Sequence, residues 1–226
     1  MCGRFNIISD PLTRLLLKIT GMDYQLQDRF NIAPTEDIPV VLQDKDGGRT
    51  MHQMRWWLVP NWVDEPSTKY SMFNARSESL LKSRAFSQPF RTSRCLVPVS
   101  GYYEWQQGEK GKIPFYIKPE VEDGFAFAGL WDRWQRGNRV IDSCTIITTQ
   151  AHGSVRHIHD RMPVQLSANQ LDEWLDTKSD APALQRLFVP RLPASLEIIP
   201  VSNYVNNSRN KGDRCVQPIA DSQIVH

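Results

Sequence analysis

Residues 94–105 read Arg94-Cys95-Leu96-Val97-Pro98-Val99-Ser100-Gly101-Tyr102-Tyr103-Glu104-Trp105. The apolar run 95–99 predicts a strand, and a Val/Tyr/Trp-rich strand pattern continues to Trp105, interrupted by Gly101. Working outward, similar β-rich runs occupy 38–42, 51–58, 113–117, 125–130 and 140–148, several bounded by Gly, Pro, Asn or Asp. Helices are fewer. Asp10 as N-cap, Pro11 at the first helical position and Leu12, Leu15, Leu16 and Ile19 at helical spacing predict one that Gly21 closes. A second is expected over 74–86 with Leu80 and Leu81 inward, a third from Ser167 with Leu171, Trp174 and Leu175 on one side, and a short one over 183–188. No fixed-period repeat, Gly/Ser linker or regular βα alternation occurs. The pattern predicts a single α+β domain over 1–226 built on antiparallel sheet, with a loose tail after Asp213.

Composition narrows the class. With 40% hydrophobic and 23% charged residues, the 226-residue chain has the apolar mass for a core. Glycine and proline, 12 and 15 residues, are too few for collagen or low complexity. No run of about 18 apolar residues is present, so no helical membrane span is expected. The start lacks a basic segment followed by an apolar run, which predicts an intracellular, cytoplasmic protein. Net charge is only +2, yet from Lys69 to Arg94 six cations face one carboxylate, Glu78. Such a stretch is either a solvated helix face or a phosphate-binding one.

Among Cys2, Cys95, Cys144 and Cys215 there is no Cys-x-x-Cys pair, and the two within apolar runs, Cys95 and Cys144, read as buried small hydrophobes. Cys2 differs, because loss of Met1 leaves it as the amino terminus with an amine and a thiol on adjacent carbons. An α-amine has a pKa of about 7.7–8.0, so a substantial fraction is neutral near pH 7. It can attack an aldehyde to give an imine, onto which the thiol closes as a five-membered thiazolidine. The same thiol suits acyl transfer, which keeps a Cys2-dependent peptidase or amidohydrolase open. Glu104, alone between aromatics, is either a desolvated acid suited to proton transfer or the partner of an arginine. Trp105 is core or a stacking face for a base. His157 and His159 share a strand face, but no further ligand cluster stands at metal-binding spacing, so no metal and no cofactor is expected. Asn74 caps a helix or presents its amide to a ligand, and Arg76 suits a phosphate. Tryptophans 56, 57 and 62 read as core, and no phosphate-binding Gly-rich loop or nucleophile elbow is found.

Taken in order, Met1-Cys2-Gly3-Arg4-Phe5, Asn31-Ile32-Ala33-Pro34-Thr35, Arg55-Trp56-Trp57-Leu58-Val59-Pro60-Asn61-Trp62, Asn74-Ala75-Arg76-Ser77-Glu78, Arg94-Cys95-Leu96-Val97-Pro98, Gly101-Tyr102-Tyr103-Glu104-Trp105, Thr148-Thr149 and His159-Asp160-Arg161-Met162-Pro163 resemble the SOS response-associated peptidase (SRAP) family. The resemblance implies an α+β domain with antiparallel sheets in a barrel-like core and peripheral helices. It implies a sensor of abasic sites in single-stranded DNA that traps them as a covalent thiazolidine cross-link, with weak lyase and autopeptidase character. It assigns Cys2 as nucleophile, Asn74 as a positioning group, Glu104 as acid/base and His159 as the group that helps open the sugar. Arg4, Arg76, Arg84, Thr149 and Arg161 are the implied phosphate contacts, Trp105 stacks on a base, and Pro39 is a wedge. The expected partner is abasic single-stranded DNA at the nucleoid, bound by a monomer away from membranes. A non-covalent single-strand binding module remains the third reading.

Overall fold

Side chains alternate across a strand, so one strand can serve two cores. The strand Arg94–Val99 is buried at all six positions. Cys95, Val97 and Val99 enter one hydrophobic cluster, and Leu96 enters another beneath the helices. The computed structural model describes residues 2–109 and 111–226. In chain order its elements are β1 (Phe5–Ile7), α1 (Ser9–Thr20), β2 (Arg29–Ile32), β3 (Asp37–Gln43), β4 (Arg49–Trp56), β5 (Asn74–Arg76), α2 (Ser87–Thr92) and β6 (Arg94–Val99). There follow β7 (Gly101–Gly108), β8 (Gly111–Pro119), β9 (Phe125–Arg136), β10 (Arg139–Gln150), β11 (Arg161–Pro163), β12 (Gln165–Leu166), α3 (Leu171–Leu175), β13 (Leu196–Pro200) and β14 (Gln223–Val225).

The strands form two sheets. One runs β14-β13-β8-β7-β1-β2; the other runs β11-β10-β4-β3-β6-β9-β12, with β5 beside β10. Because β9 also pairs with β10, strands β10, β4, β3, β6 and β9 close into a five-stranded barrel. Its interior holds Ile38, Val40, Met54, Trp56, Val97, Phe127 and Ile146, together with Cys95 and Cys144 as the sequence predicts. The α+β class and the barrel-like core with peripheral helices are therefore as expected. The pairings of β10 with β4 and β5 are parallel; the rest are antiparallel. The same cluster continues through Cys2, Phe5, Tyr102 and Ile198 and joins the six-stranded sheet to the barrel.

Several expectations need correction. Residues 74–86 are not one helix. The edge of β10 takes Asn74–Arg76 as a strand, Ile146 N–H donates to the Phe73 carbonyl, and a 3₁₀ turn over Ser77–Lys82 follows. Asp10 has the extended backbone (φ −104°, ψ 117°) expected of an N-cap before Pro11, at a kink within Ser9–Thr20, and its carboxylate pairs with Arg14. Gly21, at φ 72°, does close α1 with its N–H on the Leu17 carbonyl. The segment after Asp213 is not a loose tail, since β14 pairs with β13 and both Cys215 and Val225 are buried. Arg94 is no surface cation. It is buried, and its guanidinium donates to the carbonyls of Phe90, Arg91, Trp174 and Asp176, tying α2 and α3 to β6.

Gly101 is needed for close approach between β7 and β8. A Cβ there would lie 2.4 Å from the Tyr116 ring and 2.8 Å from the Ile117 carbonyl oxygen. Gly101→Ala is expected to lower stability by about 1–3 kcal/mol through overpacking, read as a lower urea midpoint with an unchanged slope.

Candidate active site

Antiparallel register brings the chain start to Glu104. Phe5 pairs with Tyr102, and Tyr103 N–H donates to the Arg4 carbonyl at 2.9 Å, so Gly3 and Cys2 run past Glu104 on β7. The barrel supplies the opposite wall. β5 lies against β10 with Asn74 beside Ile146, and Asn74 Nδ2 donates to the Cys2 carbonyl at 2.7 Å. The end of β10 turns back through residues 151–160 into β11, which carries His159 to the same edge. The site forms where the six-stranded sheet meets the barrel.

Burial sets the electrostatics. Glu104 is 3% exposed. Desolvation lifts its carboxyl to about 7, and the charge of Asp160, next to His159, pushes the same way. Burial also drives the Cys2 thiol well above its ordinary value, and the Glu104 charge adds to that. Tyr102 is raised by burial and then by both Glu104 and Cys2, which places the three groups within one another's field. Asn74 is buried and its Oδ1 has no partner among the described residues. Desolvation lowers the His159 pKa. The Arg161 N–H donates to His159 Nδ1 at 2.9 Å, which favours the neutral ring with its proton on Nε2. Asp160 Oδ1 also lies 2.9 Å from Nδ1, but that contact is an ion pair only when the ring is charged.

The arginines fall into two kinds. Arg76 and Arg84 are exposed, and the Arg84 guanidinium sits 3.9 Å from the centre of the Trp62 ring. Arg4 and Arg161 are held internally. Arg4 Nη1 donates to Asn31 Oδ1 and the Val205 carbonyl, with the guanidinium 5.7 Å from the Trp105 ring. Arg161, with a side chain 11% exposed, forks onto Glu78 at 2.6 and 3.0 Å and onto the Thr148 carbonyl. An anion does occupy the Arg161 fork, and it is the carboxylate of Glu78. Trp105 is half-buried and donates through Nε1 to Asn206 Oδ1 at 2.7 Å.

Two assignments are corrected. Pro39 cannot wedge between bases, because it is buried in mid-strand β3 opposite Gln53. Thr149 is buried, and its hydroxyl donates to the Phe188 carbonyl at 2.6 Å, so it is engaged within the protein. The sequence reading also missed residues. Trp62 was grouped with core tryptophans, yet it is 43% exposed whereas Trp56 is fully buried. Asn31 lay in a recognised motif without a role. Asn206 lies in the asparagine-rich run 203–210. Among the described residues no group of three or more His, Cys, Asp or Glu side chains could hold a metal, and no helix is long and apolar enough to cross a membrane.

A buried thiol, a buried amide, a carboxyl raised to about 7 and an imidazole lowered by desolvation are thus gathered where the six-stranded sheet meets the barrel. Residues 1–208 match the family model for SOS response associated peptidase (SRAP), and the chain belongs to that family. It is 35% identical over 216 residues to Abasic site processing protein YoaM of Bacillus subtilis, covering 93% of this chain and 95% of that one. It is 32% identical over 222 residues to Abasic site processing protein HMCES of Gallus gallus, covering 84% of this chain and 66% of that one. A crystal structure from Bordetella bronchiseptica shares the fold with TM-score 0.77 at 21% identity, over 89% of this chain and 100% of that one.

Because Glu104 is raised in the folded protein, its ionisation opposes folding. The penalty is absent below the unfolded carboxyl value of about 4.3, grows as pH rises to about 7, and is constant above it. Glu104→Gln is expected to match the wild type closely in urea unfolding near pH 4.5 and to exceed it by on the order of 3–4 kcal/mol near pH 8.

Proposed function

We propose that this protein captures abasic sites in single-stranded DNA by condensing the amino-terminal Cys2 with the sugar aldehyde. The observation that carries the reading is the Cys2 main chain held by Asn74 beside a buried carboxyl with a pKa of about 7. The relatives named as abasic site processing proteins support the substrate class. Met1 lies outside the described residues, and its removal is part of the proposal; self-removal is how the family's description as a peptidase is read here.

The chemistry follows from the groups present. Most of an abasic deoxyribose is a closed hemiacetal; His159 Nε2–H hydrogen-bonds the ring oxygen, which takes a proton from solvent water as the C1′–O4′ bond breaks and the C1′ hydroxyl gives its proton back to solvent to form the aldehyde. The neutral Cys2 amine, oriented by Asn74, attacks the C1′ aldehyde to give a carbinolamine. Protonated Glu104 delivers its proton to the departing hydroxyl, which leaves as water, and an iminium remains. The Glu104 carboxylate then takes the proton from the thiol as sulfur bonds to the same carbon. The ring nitrogen ends neutral, Glu104 ends protonated, and one water is lost overall. Holding amine and thiol on one residue gives the second step the effective molarity of an intramolecular reaction. A high thiol pKa suits this sequence, since the thiol acts after the carboxylate has formed beside it, and it disfavours a resting thiolate for acyl transfer. The iminium also permits slow β-elimination, a weak lyase activity.

Arg76 is exposed to meet a phosphate, Arg84 stacked on Trp62 sets a second cation beside an exposed aromatic ring, and the half-buried Trp105 ring offers a surface to an unstacked base. Arg161 joins them by exchanging Glu78 for a phosphate. Single-stranded DNA suits the site because its backbone bends into a pocket without the cost of unpairing.

Incubation with a single-stranded oligonucleotide carrying one abasic site should give a heat-stable, slower-migrating species. Cys2→Ala or an uncleavable amino-terminal tag should abolish it, and intact-mass analysis of the adduct should show Met1 absent. Turnover of small amide substrates with no DNA adduct would instead establish the hydrolase. DNA binding unaltered by Cys2→Ala, with no adduct from the wild type, would leave a plain binding module. The cross-linking rate should pass through a maximum between about pH 7 and 8, rising on the acid side as the Cys2 amine loses its proton and falling on the alkaline side, where Glu104 is ionised. Glu104→Gln should remove the alkaline limb and slow the reaction by about a hundredfold or more.

A further inference from the structure

Asn31 is fully buried, and both ends of its side-chain amide are engaged. Oδ1 accepts from Arg4 Nη1 at 2.8 Å. Nδ2 faces three carbonyls, of Val205, Asn207 and Asn210, at 3.2, 3.1 and 2.8 Å. The Asn31 main-chain carbonyl accepts from Lys211 Nζ, whose charge also meets Glu36. Residues 203–211 are thereby wrapped around one side chain as a strap. The strap is tied to itself by Asn210 Nδ2 on the Tyr204 carbonyl at 2.7 Å. On its outer side Asn206 Oδ1 accepts from Trp105 Nε1 at 2.7 Å, and on its inner side the Val205 carbonyl accepts from Arg4 at 2.9 Å.

Arg4 and Trp105 stand beside each other, and both are oriented by this strap rather than by the four groups at the chemical centre. We propose that Asn31 and Asn206 are positioning residues: the strap 203–211, hung on Asn31, holds Arg4 and the Trp105 ring in the arrangement that receives the DNA strand beside the lesion. The inference rests on the reading of the site as a single-strand DNA trap. Its physical basis is preorganisation. A long side chain already ordered in the free protein does not have to be immobilised on binding, which is worth about three- to tenfold in affinity for each such group. Chemistry at Cys2 does not pass through the strap, so its loss is felt in capture and not in the covalent step.

Asn206 is exposed, so Asn206→Ala removes the Trp105 acceptor without touching the core. Anisotropy with an undamaged single-stranded oligonucleotide should show binding weakened about fivefold. In cross-linking, the half-saturating concentration of abasic oligonucleotide should rise by a similar factor, with the rate at saturation altered less than twofold. Any purine-over-pyrimidine preference at the base next to the lesion should flatten, an effect that general loosening of the fold does not produce. Asn31→Asp, which keeps the Arg4 acceptor but loses the donor to three carbonyls, should weaken binding in the same way. Unchanged anisotropy and half-saturation in Asn206→Ala would overturn the proposal, as would a fall in saturated rate at constant half-saturation. A wild type that binds the oligonucleotide but never cross-links sinks the covalent reading alone, because anisotropy still scores the strap. A wild type that does not bind it sinks both.

Discussion

The site depends on how β1 is held. This three-residue strand lies between β7 and β2 in the six-stranded sheet, and its side chains are buried. Phe5 packs against Trp56 of the barrel at 4.8 Å between ring centroids, so the strand is pinned by hydrogen bonds on both edges and by apolar contact on one face. With the register fixed at Phe5 and Tyr102, the residues before β1 have one course, past Glu104 and under Asn74. A one-residue slip would turn every side chain to the other face. The position of Cys2 is therefore a consequence of sheet pairing, although it lies where most chains fray.

Burial does two jobs around that residue. It supplies the apolar contact that joins the sheet to the barrel, and it raises the cost of charge on Glu104 and Cys2. A carboxyl in water is a poor proton donor at neutral pH; the same carboxyl under the sheet holds its proton until about pH 7. Above that pH the ionised group carries a stability penalty. Carbonyls, Asn31 and Glu78 hold the terminal nitrogens of Arg4 and Arg161 before any ligand arrives.

Much of the fold was legible along the chain. The long strands β3, β6, β8, β9 and β10 carry enough alternating or continuous apolar residues to declare themselves. The short ones, β1, β2, β5, β11 and β14, do not, because three or four residues hold too little pattern and are strands only by virtue of a neighbour's free edge. That is why 74–86 read as a helix: Asn74–Arg76 has no strand signature of its own and is extended because β10 pairs with it. Glu104 was legible as an acid among aromatics and Cys2 as a vicinal amine and thiol, since those properties belong to the residues themselves.

What the sequence determined alone was the chemistry available: which side chains can attack, donate a proton or carry charge, and the strand-rich pattern that buries apolar mass. Tertiary structure alone decided which of them meet. Pro39 and Thr149 lie inside, Arg94 became a structural cation, Trp62 came out of the presumed core, and Asn31 gathered three distant carbonyls around one amide. The physical reason is that burial and hydrogen-bond partnership are properties of a site and not of a residue. They arise from contacts between segments as much as 201 positions apart, as from Arg4 to Val205, and local pattern carries no record of those contacts.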